Sequence, residues 1–370
     1  MSKSLPSYLK NFTCYLLRVQ FAAQKDVEIK EKWWYLPSYA LGDALMNSKN
    51  YQHLYDTLFK PTQGRFKNVP SRIIVRADST RRSKFVKKEI LNLYITIVSN
   101  NKQEITDFID FLPEWADFHF FKKYSFRFHS SYVLNPLSNE FEPSRQSNIE
   151  PLDYKFFNKH LVKWKDALEI RFLTPTTYYK DRILSPTDEV FYDDLIKRIQ
   201  NRALNLYFSF LAPSEEIDES SNFIVETNAV TLLNGLSFPR QMIIKKQKYT
   251  LSGIKGFIRY SVPYSYKDDY LLALAHYIHV GSNTKIGNGQ IEAIALSEQE
   301  SELVVTLPGS FIGVSKDTFR VKNGNKIVIS RPISTISQIT ILAPNVTVSS
   351  YVTRYCAKKN IRIVCSYTLN

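Results

Sequence analysis

The sequence predicts an α+β protein in which two tandem ferredoxin-like domains are followed by a small, mostly β domain. Strand patterns and helical apolar stripes follow one another twice between residues 1 and 297, in the order of repeated β-α-β units. After an acidic link at residues 298–302, short strand patterns with turn signals take over. With 370 residues, 44% of them apolar, the chain is large enough for two or three packed cores.

The first predicted domain covers residues 1–150. Its predicted elements are a strand, a helix and a second strand–helix pair, at 14–21, 38–47, 91–99 and 103–111. This is a ferredoxin-like order. Residues 135–151 carry prolines and serines, and they are predicted to link this domain to the next one.

The second predicted domain covers residues 151–297 and begins with a strand near Ala167. Residues 269–280 carry apolar side chains at the spacing of one buried helix face. Gly281 is the predicted stop of that helix, and residues 290–296 alternate like a half-buried strand.

The third predicted domain covers residues 302–370. Asn323 and Gly324 indicate a tight hairpin, and residues 338–342 form another predicted strand. A helix at 349–359 and a strand at 361–366 complete the predicted elements.

The charge balance favours a nucleic-acid binder. The chain holds 49 Lys and Arg against 35 Asp and Glu, a net charge of +14, which attracts polyanions. Basic residues concentrate at 60–88 and 240–260, where Tyr249 and Tyr260 offer faces for base stacking. The alternative, for Arg81 and Arg82 above all, is a solvated mobile loop.

Other compositional signals exclude whole classes of protein. The three cysteines lack CxxC spacing, so the sequence suggests no disulfide framework and no zinc site. The apolar run at 15–23 is interrupted by Arg18 and Gln20, which excludes a signal peptide or a membrane span. We therefore expect a cytoplasmic protein without cofactor, resident metal or membrane partner.

The segment 279–289 is the strongest functional signal. Gly281, Gly287 and Gly289 permit positive φ and close approach to a ligand, and Lys285 adds a cation for phosphate. The order helix, loop, strand excludes both the P-loop and the dinucleotide fingerprint, which open a helix after a strand. A plain hairpin-like connection is the alternative.

This segment, HVG followed by KIGNG, resembles the glycine-rich signature of the RAMP superfamily of CRISPR RNA-binding proteins, which has an RRM-like fold. With residues 252–260 and 168–177 it is similar to the CRISPR endoribonuclease that cuts repeat RNA. His279 stands where the family usually has its first glycine. The resemblance implies that repeat RNA is the partner. The residues it implies for RNA binding are Gly281, Thr284, Lys285, Gly287, Gly289, Lys255 and Arg259.

The resemblance also implies metal-independent RNA cleavage, in which the 2′-OH attacks the phosphate to leave a 2′,3′-cyclic phosphate. Such chemistry needs a base, an acid and a cation, and histidine suits both proton roles. His53, which follows the first helix, is the first candidate, and His279, one turn from His276, is the second. Each has a structural alternative, and Tyr39 is the next residue to test. Lys285 is the expected phosphate clamp.

Residues 334–343, 345–350 and 361–365 resemble the N-terminal β-domain of the CRISPR spacer integrase. That family's catalytic residues lie in a helical domain, and no Asp, Glu or His follows Asp317 here. We therefore expect no integrase activity from this chain. We do expect self-association through this β-domain, contact with spacer-acquisition proteins, and weak binding of DNA.

Three other interpretations stand beside this one, of which the first is disfavoured and the other two remain open. Tyr266, Asp268 and Asp269 match the YxDD motif of a reverse transcriptase, but they open a predicted helix, where acidic residues suit the N-terminus. The RAMP half is alternatively a non-cleaving RNA-binding scaffold or a subunit of a spacer-acquisition complex. Both would keep the loop and the basic patches and need no catalytic histidine.

Overall fold

The computed structural model describes residues 5–29, 33, 35–59, 69–78, 83–177, 179–180, 183–184, 190–217, 227, 229–237, 240–244, 248–296, 302–315, 318–333, 336–359 and 361–365. Arg81 and Arg82 lie outside these residues. The side chains of residues 240–252, the larger part of the basic segment at 240–260, also lie outside the description.

The first unit is a five-stranded sheet covered on one face by helices. Its strands and helices are α1 Ser7–Lys10, β1 Cys14–Ala23, β2 Val27–Glu28, α2 Leu36–Asn47, α3 Gln52–Leu58, β3 Ile73–Ala77, β4 Lys84–Phe85, β5 Ile90–Val98, α4 Lys102–Trp115, α5 His119–Lys123, β6 Phe126–Leu134 and β7 Phe141–Pro143. The sheet order is β3-β5-β1-β6-β7. Its strands β1, β3, β5 and β6 have the ferredoxin-like arrangement, in which β1 and β5 are central.

The second unit repeats that arrangement with four strands. Its elements are α6 Tyr154–Lys159, β8 Ala167–Thr176, β9 Tyr179–Lys180, β10 Ile183–Leu184, α7 Tyr192–Leu206, β11 Val230–Ser237, β12 Arg240–Ile244, β13 Lys248–Ser252, β14 Ile254–Ser261, α8 Tyr266–Ile278 and β15 Ile291–Ala295. The sheet order is β11-β14-β8-β15, so the strand after the glycine-rich segment is an edge strand.

The third unit is rich in strands. Its elements are β16 Glu302–Val305, β17 Phe311–Ser315, β18 Thr318–Asn323, β19 Lys326–Pro332, β20 Gln338–Ile341, β21 Thr347–Val348, α9 Ser350–Lys359 and β22 Arg362–Cys365. They form a sheet β16-β20-β22 and a sheet β19-β18-β17-β21 around a small core of their own. The predicted α+β class and tandem ferredoxin-like architecture are therefore confirmed.

Several local predictions need correction. Residues 135–151 are not an open linker, because β7 extends the first sheet by pairing with β6. Helix α8 ends at Ile278, two residues before the predicted end at residue 280. The tight hairpin predicted at Asn323 and Gly324 is present, and its two-residue loop consists of residues 324 and 325, since Asn323 pairs with Lys326. The sequence reasoning missed β3, which lies inside the basic segment at 60–88.

The cores show how the first two units are joined. One core lies between the first sheet and helices α2, α4 and α5, whereas the other is built around α7, α8 and β8. Helix α1 contributes Tyr8 and Leu9 to that second core, and Tyr270 of α8 donates a hydrogen bond to the Leu9 carbonyl at 3.0 Å. The exact domain boundaries therefore stay a prediction. In the described part of the chain, no helix combines the length and apolar character of a membrane span.

Candidate nucleic-acid interface

The segment 279–289, called the glycine loop below, connects α8 to β15. Ser265 caps the start of α8 by accepting a hydrogen bond from the Asp268 N–H at 3.3 Å. At the other end, His279 adopts φ 59° and ψ 174°, a conformation that is normal only for glycine. The backbone at this position thus has a conformation that favours glycine, although a histidine occupies it.

The glycines allow the loop to approach other backbone segments. A Cβ on Gly289 would lie 1.8 Å from the Val280 carbonyl oxygen, and one on Gly281 would lie 2.6 Å from the Thr177 carbonyl oxygen. A Cβ on Gly287 would lie 3.0 Å from the Cα of Arg76. All three glycines have positive φ, as predicted. The close neighbours of these glycines are backbone atoms of the protein. The glycines therefore allow the loop to fold tightly and to pack against β3 and the end of β8.

Several N–H groups of the loop are used inside the protein. Those of Ser282, Gly287 and Gly289 donate to carbonyl oxygens at 3.1, 2.8 and 3.0 Å. The N–H groups of residues 283–285 find no acceptor among the described residues. Residues 283–285 therefore keep backbone donors of the kind that the sequence predicts for phosphate.

His279 is held as a neutral side chain beneath the loop. It is 3% exposed, and its Nδ1 donates to the Asn288 carbonyl at 2.9 Å. Burial lowers its pKa well below the ordinary value, and Arg76 and Arg202 lower it further. This placement suits a residue that fixes the loop better than one that exchanges protons with a ligand.

Arg202 is a buried cation that the sequence reasoning did not place in the site. Its Nε donates to the Ile278 carbonyl at 2.7 Å, the last residue of α8, and its Nη2 donates to the Ser71 carbonyl at 3.3 Å. Burial lowers its pKa, but a guanidinium stays charged near neutral pH. The sequence does indicate that Arg202 is buried, because it lies on the apolar face of α7 that also carries Leu195, Ile199 and Leu206.

The exposed tip of the loop meets the start of α2. Ser38 donates its hydroxyl to the Lys285 carbonyl at 2.9 Å, and the Lys285 Nζ lies 5.4 Å from the Tyr39 ring centroid. Thr284, the preceding residue, is buried and anchors the turn, whereas Lys285 is exposed. The structure thus brings together Lys285 and Tyr39, a cation and a phenol, at the surface.

His53 lies at a different place. It is on α3, more than half exposed, and its Nε2 is 3.4 Å from Asp107 Oδ2 on α4. The residue that ends α3 lies beside the middle of α2, since a Cβ on Gly42 would lie 3.4 Å from the Phe59 ring, so α3 runs back along α2. Ser38 stands ten residues before the α2–α3 turn, which is about 15 Å along a helix at 1.5 Å per residue. The structure therefore separates His53 from Lys285.

Lys255 and Arg259 lie on β14, on one face of the second sheet. The Arg259 Nε donates to Glu169 Oε2 at 2.7 Å, and Arg171 donates to Oε1 of the same carboxylate at 2.7 Å. Burial raises the pKa of Glu169, but the hydrogen bonds from both arginines outweigh it and lower the pKa overall. Gly253, close to Lys255, packs on the same Thr176–Thr177 turn as Gly281. Lys255 thus stands at the glycine-loop end of the sheet, and Arg259 stands farther away.

The acidic pair of the YxDD motif has a structural role. Asp268 and Asp269 lie in the first turn of α8, as predicted, and both are fully buried. Asp269 accepts hydrogen bonds from the N–H groups of Val162 and Lys163, both at 2.9 Å, and Asp268 accepts one from Tyr192 at 3.2 Å. Across the described residues, no three His, Cys, Asp or Glu side chains gather as metal ligands would.

Two family models match the chain. The model of the CRISPR-associated endoribonuclease Cas6 matches residues 170–291, and the model of the CRISPR-associated protein Cas1 matches residues 303–368. The Cas6 match ends just after the glycine loop. No curated protein sequence matches the chain.

Solved structures share the fold at low sequence identity. The chain superimposes with a TM-score of 0.52 and 12% identity on a partial Cas6-RT-Cas1–Cas2 complex, covering 80% of this chain and 48% of that one. A second Cas6-RT-Cas1–Cas2 complex matches with the same score and identity, covering 80% of this chain and 30% of the other. A Cas6 from Thermus thermophilus matches with a TM-score of 0.47 and 11% identity, covering 76% and 99% of the two chains. The protein therefore carries a Cas6 endoribonuclease domain at residues 170–291 and a Cas1 N-terminal region at residues 303–368.

Proposed function

We propose that this protein binds CRISPR repeat RNA and cuts it within each repeat, in physical association with the spacer-acquisition machinery. The observation that carries the proposal is the glycine loop inside the Cas6-matching region, with an exposed Lys285 held at its tip. The Cas1-matching region on the same chain supports the link to spacer acquisition.

The RNA phosphates bind at the tip of the glycine loop. Lys285 supplies the cation, and the N–H groups of residues 283–285, which have no acceptor among the described residues, are the proposed backbone donors to the same anion. Lys255 extends the basic surface along the second sheet, toward Arg259. The buried glycines, His279 and Thr284 contribute by fixing the loop, and Arg202 positions its start from below.

The cleavage proceeds without a metal ion, by attack of the ribose 2′-OH on the neighbouring phosphate. The new bond joins the 2′ oxygen to phosphorus, and the bond to the 5′ oxygen breaks, leaving a 2′,3′-cyclic phosphate and a 5′-OH. His53 is the proposed acid or base, since it is exposed and carries Asp107 as a partner that orients its ring. His279, buried and neutral, is a positioning residue.

An alternative places the reacting phosphate beside Lys285. In that arrangement Tyr39 is the neighbouring proton-transfer group, because its ring lies under the Lys285 ammonium. Tyr39 lies in the first turn of α2 and His53 lies beyond the end of α2, on α3, so they do not serve one phosphate together. Comparing the two single variants distinguishes these arrangements.

The test uses RNA carrying the repeat of the protein's own locus. We expect one cut per repeat in EDTA, with a cyclic phosphate on the upstream product. Lys285→Ala should weaken RNA binding, whereas Lys358→Ala, which removes an equal exposed charge from α9, should not. A requirement for magnesium would refute the mechanism, and tight binding without cleavage would favour the scaffold interpretation.

A further inference from the structure

The face of the first sheet that points away from α2, α4 and α5 carries an ordered set of side chains. Along β1, buried residues alternate with half-buried ones. Leu17, Val19 and Phe21 belong to the core beneath the helices, so Arg18 and Gln20 lie on the opposite face.

Arginine and tyrosine alternate across four neighbouring strands of this face. In the strand register, Arg76 of β3 is paired with Tyr94 of β5, Tyr94 is paired with Arg18 of β1, and Arg18 is paired with Tyr132 of β6. We call these four residues the Arg–Tyr row. All four are half-buried. At about 4.8 Å between strands, the row is about 14 Å long.

The side chains of the row are in contact with one another. The Arg76 guanidinium lies 4.5 Å from the Tyr94 ring centroid, and that of Arg18 lies 4.6 Å from Tyr132. Phe141 of β7 adds a further ring 4.8 Å from Arg18. The rings and guanidinium planes therefore form one continuous stacking surface.

Beside the Arg–Tyr row runs a second row of polar groups. Gln20 donates to Asn92 at 2.9 Å, Asn92 donates to Asp78 at 3.1 Å, and Ser130 donates to Gln20 at 2.8 Å. Those hydrogen bonds fix the polar row. Asp78 acts electrostatically on Arg76, but among the described residues no carboxylate forms an ion pair with Arg18 or Arg76.

The charge of the row is not neutralised by ion pairs. Arg72, Arg171 and Arg259 each form an ion pair with a glutamate. Within the described residues, neither Arg18 nor Arg76 does so. The Nε of Arg18 is moreover buried without any hydrogen-bond partner. Two cations set among aromatic rings suit a ligand that has both anionic groups and flat rings.

The row also begins at the glycine loop. Gly287 lies against the Cα of Arg76, so the Arg76 end of the row adjoins the loop that the proposed function assigns to RNA phosphates. A polynucleotide chain bound at the loop can therefore continue across the sheet. Four-stranded sheets of this topology are able to stack two or three unpaired bases on their aromatic residues.

We propose that the Arg–Tyr row binds two or three unpaired nucleotides of RNA, with bases stacked on Tyr94 and Tyr132 and phosphates held by Arg18 and Arg76. The proposal rests on the proposed function for the identity of the RNA. It does not require that the RNA is cut.

The test measures the affinity of the full chain for a labelled 12-nucleotide oligoadenylate, at fixed salt, by fluorescence anisotropy. Tyr94→Leu and Tyr132→Leu should each weaken binding about 5-fold to 100-fold, the usual loss for one stacked base. Tyr94→Phe and Tyr132→Phe keep the rings and should bind like the wild type. Tyr351→Leu, which removes an exposed tyrosine from α9, is the matched control.

Photocrosslinking to an oligonucleotide of 4-thiouridine, followed by peptide mapping, provides a readout that needs no folded variant. We expect adducts on Tyr94 or Tyr132. Leucine variants with wild-type affinity, or crosslinks confined to other segments, would overturn the proposal. If repeat RNA is not cut but RNA affinity still depends on Tyr94 and Tyr132, the proposed cleavage function is wrong and the proposal that the Arg–Tyr row binds RNA is supported.

Discussion

Gly289→Ala tests whether the glycine loop depends on close backbone contact. The new Cβ would lie 1.8 Å from the Val280 carbonyl oxygen, so the two segments must separate by more than 1 Å to reach normal contact. Separation breaks the hydrogen bonds from Val280 N to Gly289 O at 2.8 Å and from Gly289 N to Pro175 O at 3.0 Å. Each of these two hydrogen bonds contributes about 1 kcal/mol, and a non-glycine residue at φ 81° costs another 1 to 2 kcal/mol. The free energy of unfolding should therefore fall by about 3 to 4 kcal/mol.

Gly324→Ala is the matched control for this variant. Gly324 also has positive φ, 57°, but nothing lies within 4 Å of the added Cβ. Its substitution should cost only the conformational part, about 1 to 2 kcal/mol. The assay is calorimetric unfolding of the full chain, with binding of repeat RNA measured in parallel. If Gly289→Ala costs no more than Gly324→Ala, the argument that backbone contact selects this glycine is wrong.

Three further predictions concern catalysis, pH dependence and assembly. His53→Ala should slow cleavage by about two to four orders of magnitude with little change in RNA affinity, and His279→Ala should slow cleavage less. If both variants cut at the wild-type rate, the assignment is wrong and Tyr39 becomes the candidate for proton transfer. Burial raises the pKa of Asp268 to about 6, so its stabilising contribution is present below the unfolded pKa of 3.8 and is lost as pH rises through 6. The free energy of unfolding of Asp268→Asn, measured in urea, should therefore rise by about 2.5 kcal/mol relative to that of the wild type between pH 4 and pH 8. A constant difference would contradict this. The full chain should self-associate through exposed apolar residues of the third unit such as Leu342, and a chain ending at Leu296 should not. Light scattering measures both association states, and the same association state for the two chains would refute this prediction.

The sequence determined those features that depend on residues close together in the chain. Helix α8, the glycine loop and β15 follow one another within about thirty residues, so apolar periodicity and glycine spacing predict their order. The position of the two aspartates at the start of α8 was predictable for the same reason. The strand β3 was missed because its five residues lie in a segment dominated by basic residues.

Only the tertiary structure decided which side chains share a surface. Ser38 and Lys285 are 247 residues apart in the chain, yet the packing of the loop on α2 joins them by a hydrogen bond. The Arg–Tyr row depends on the register of four strands, and a shift of one residue in any of them would turn its side chain to the other face. His279 looked accessible beside a loop, but the fold buries it, and burial stabilises the neutral form of its ring. Local sequence thus set the elements and the loop chemistry, whereas strand register and burial decided which residues are available to an RNA.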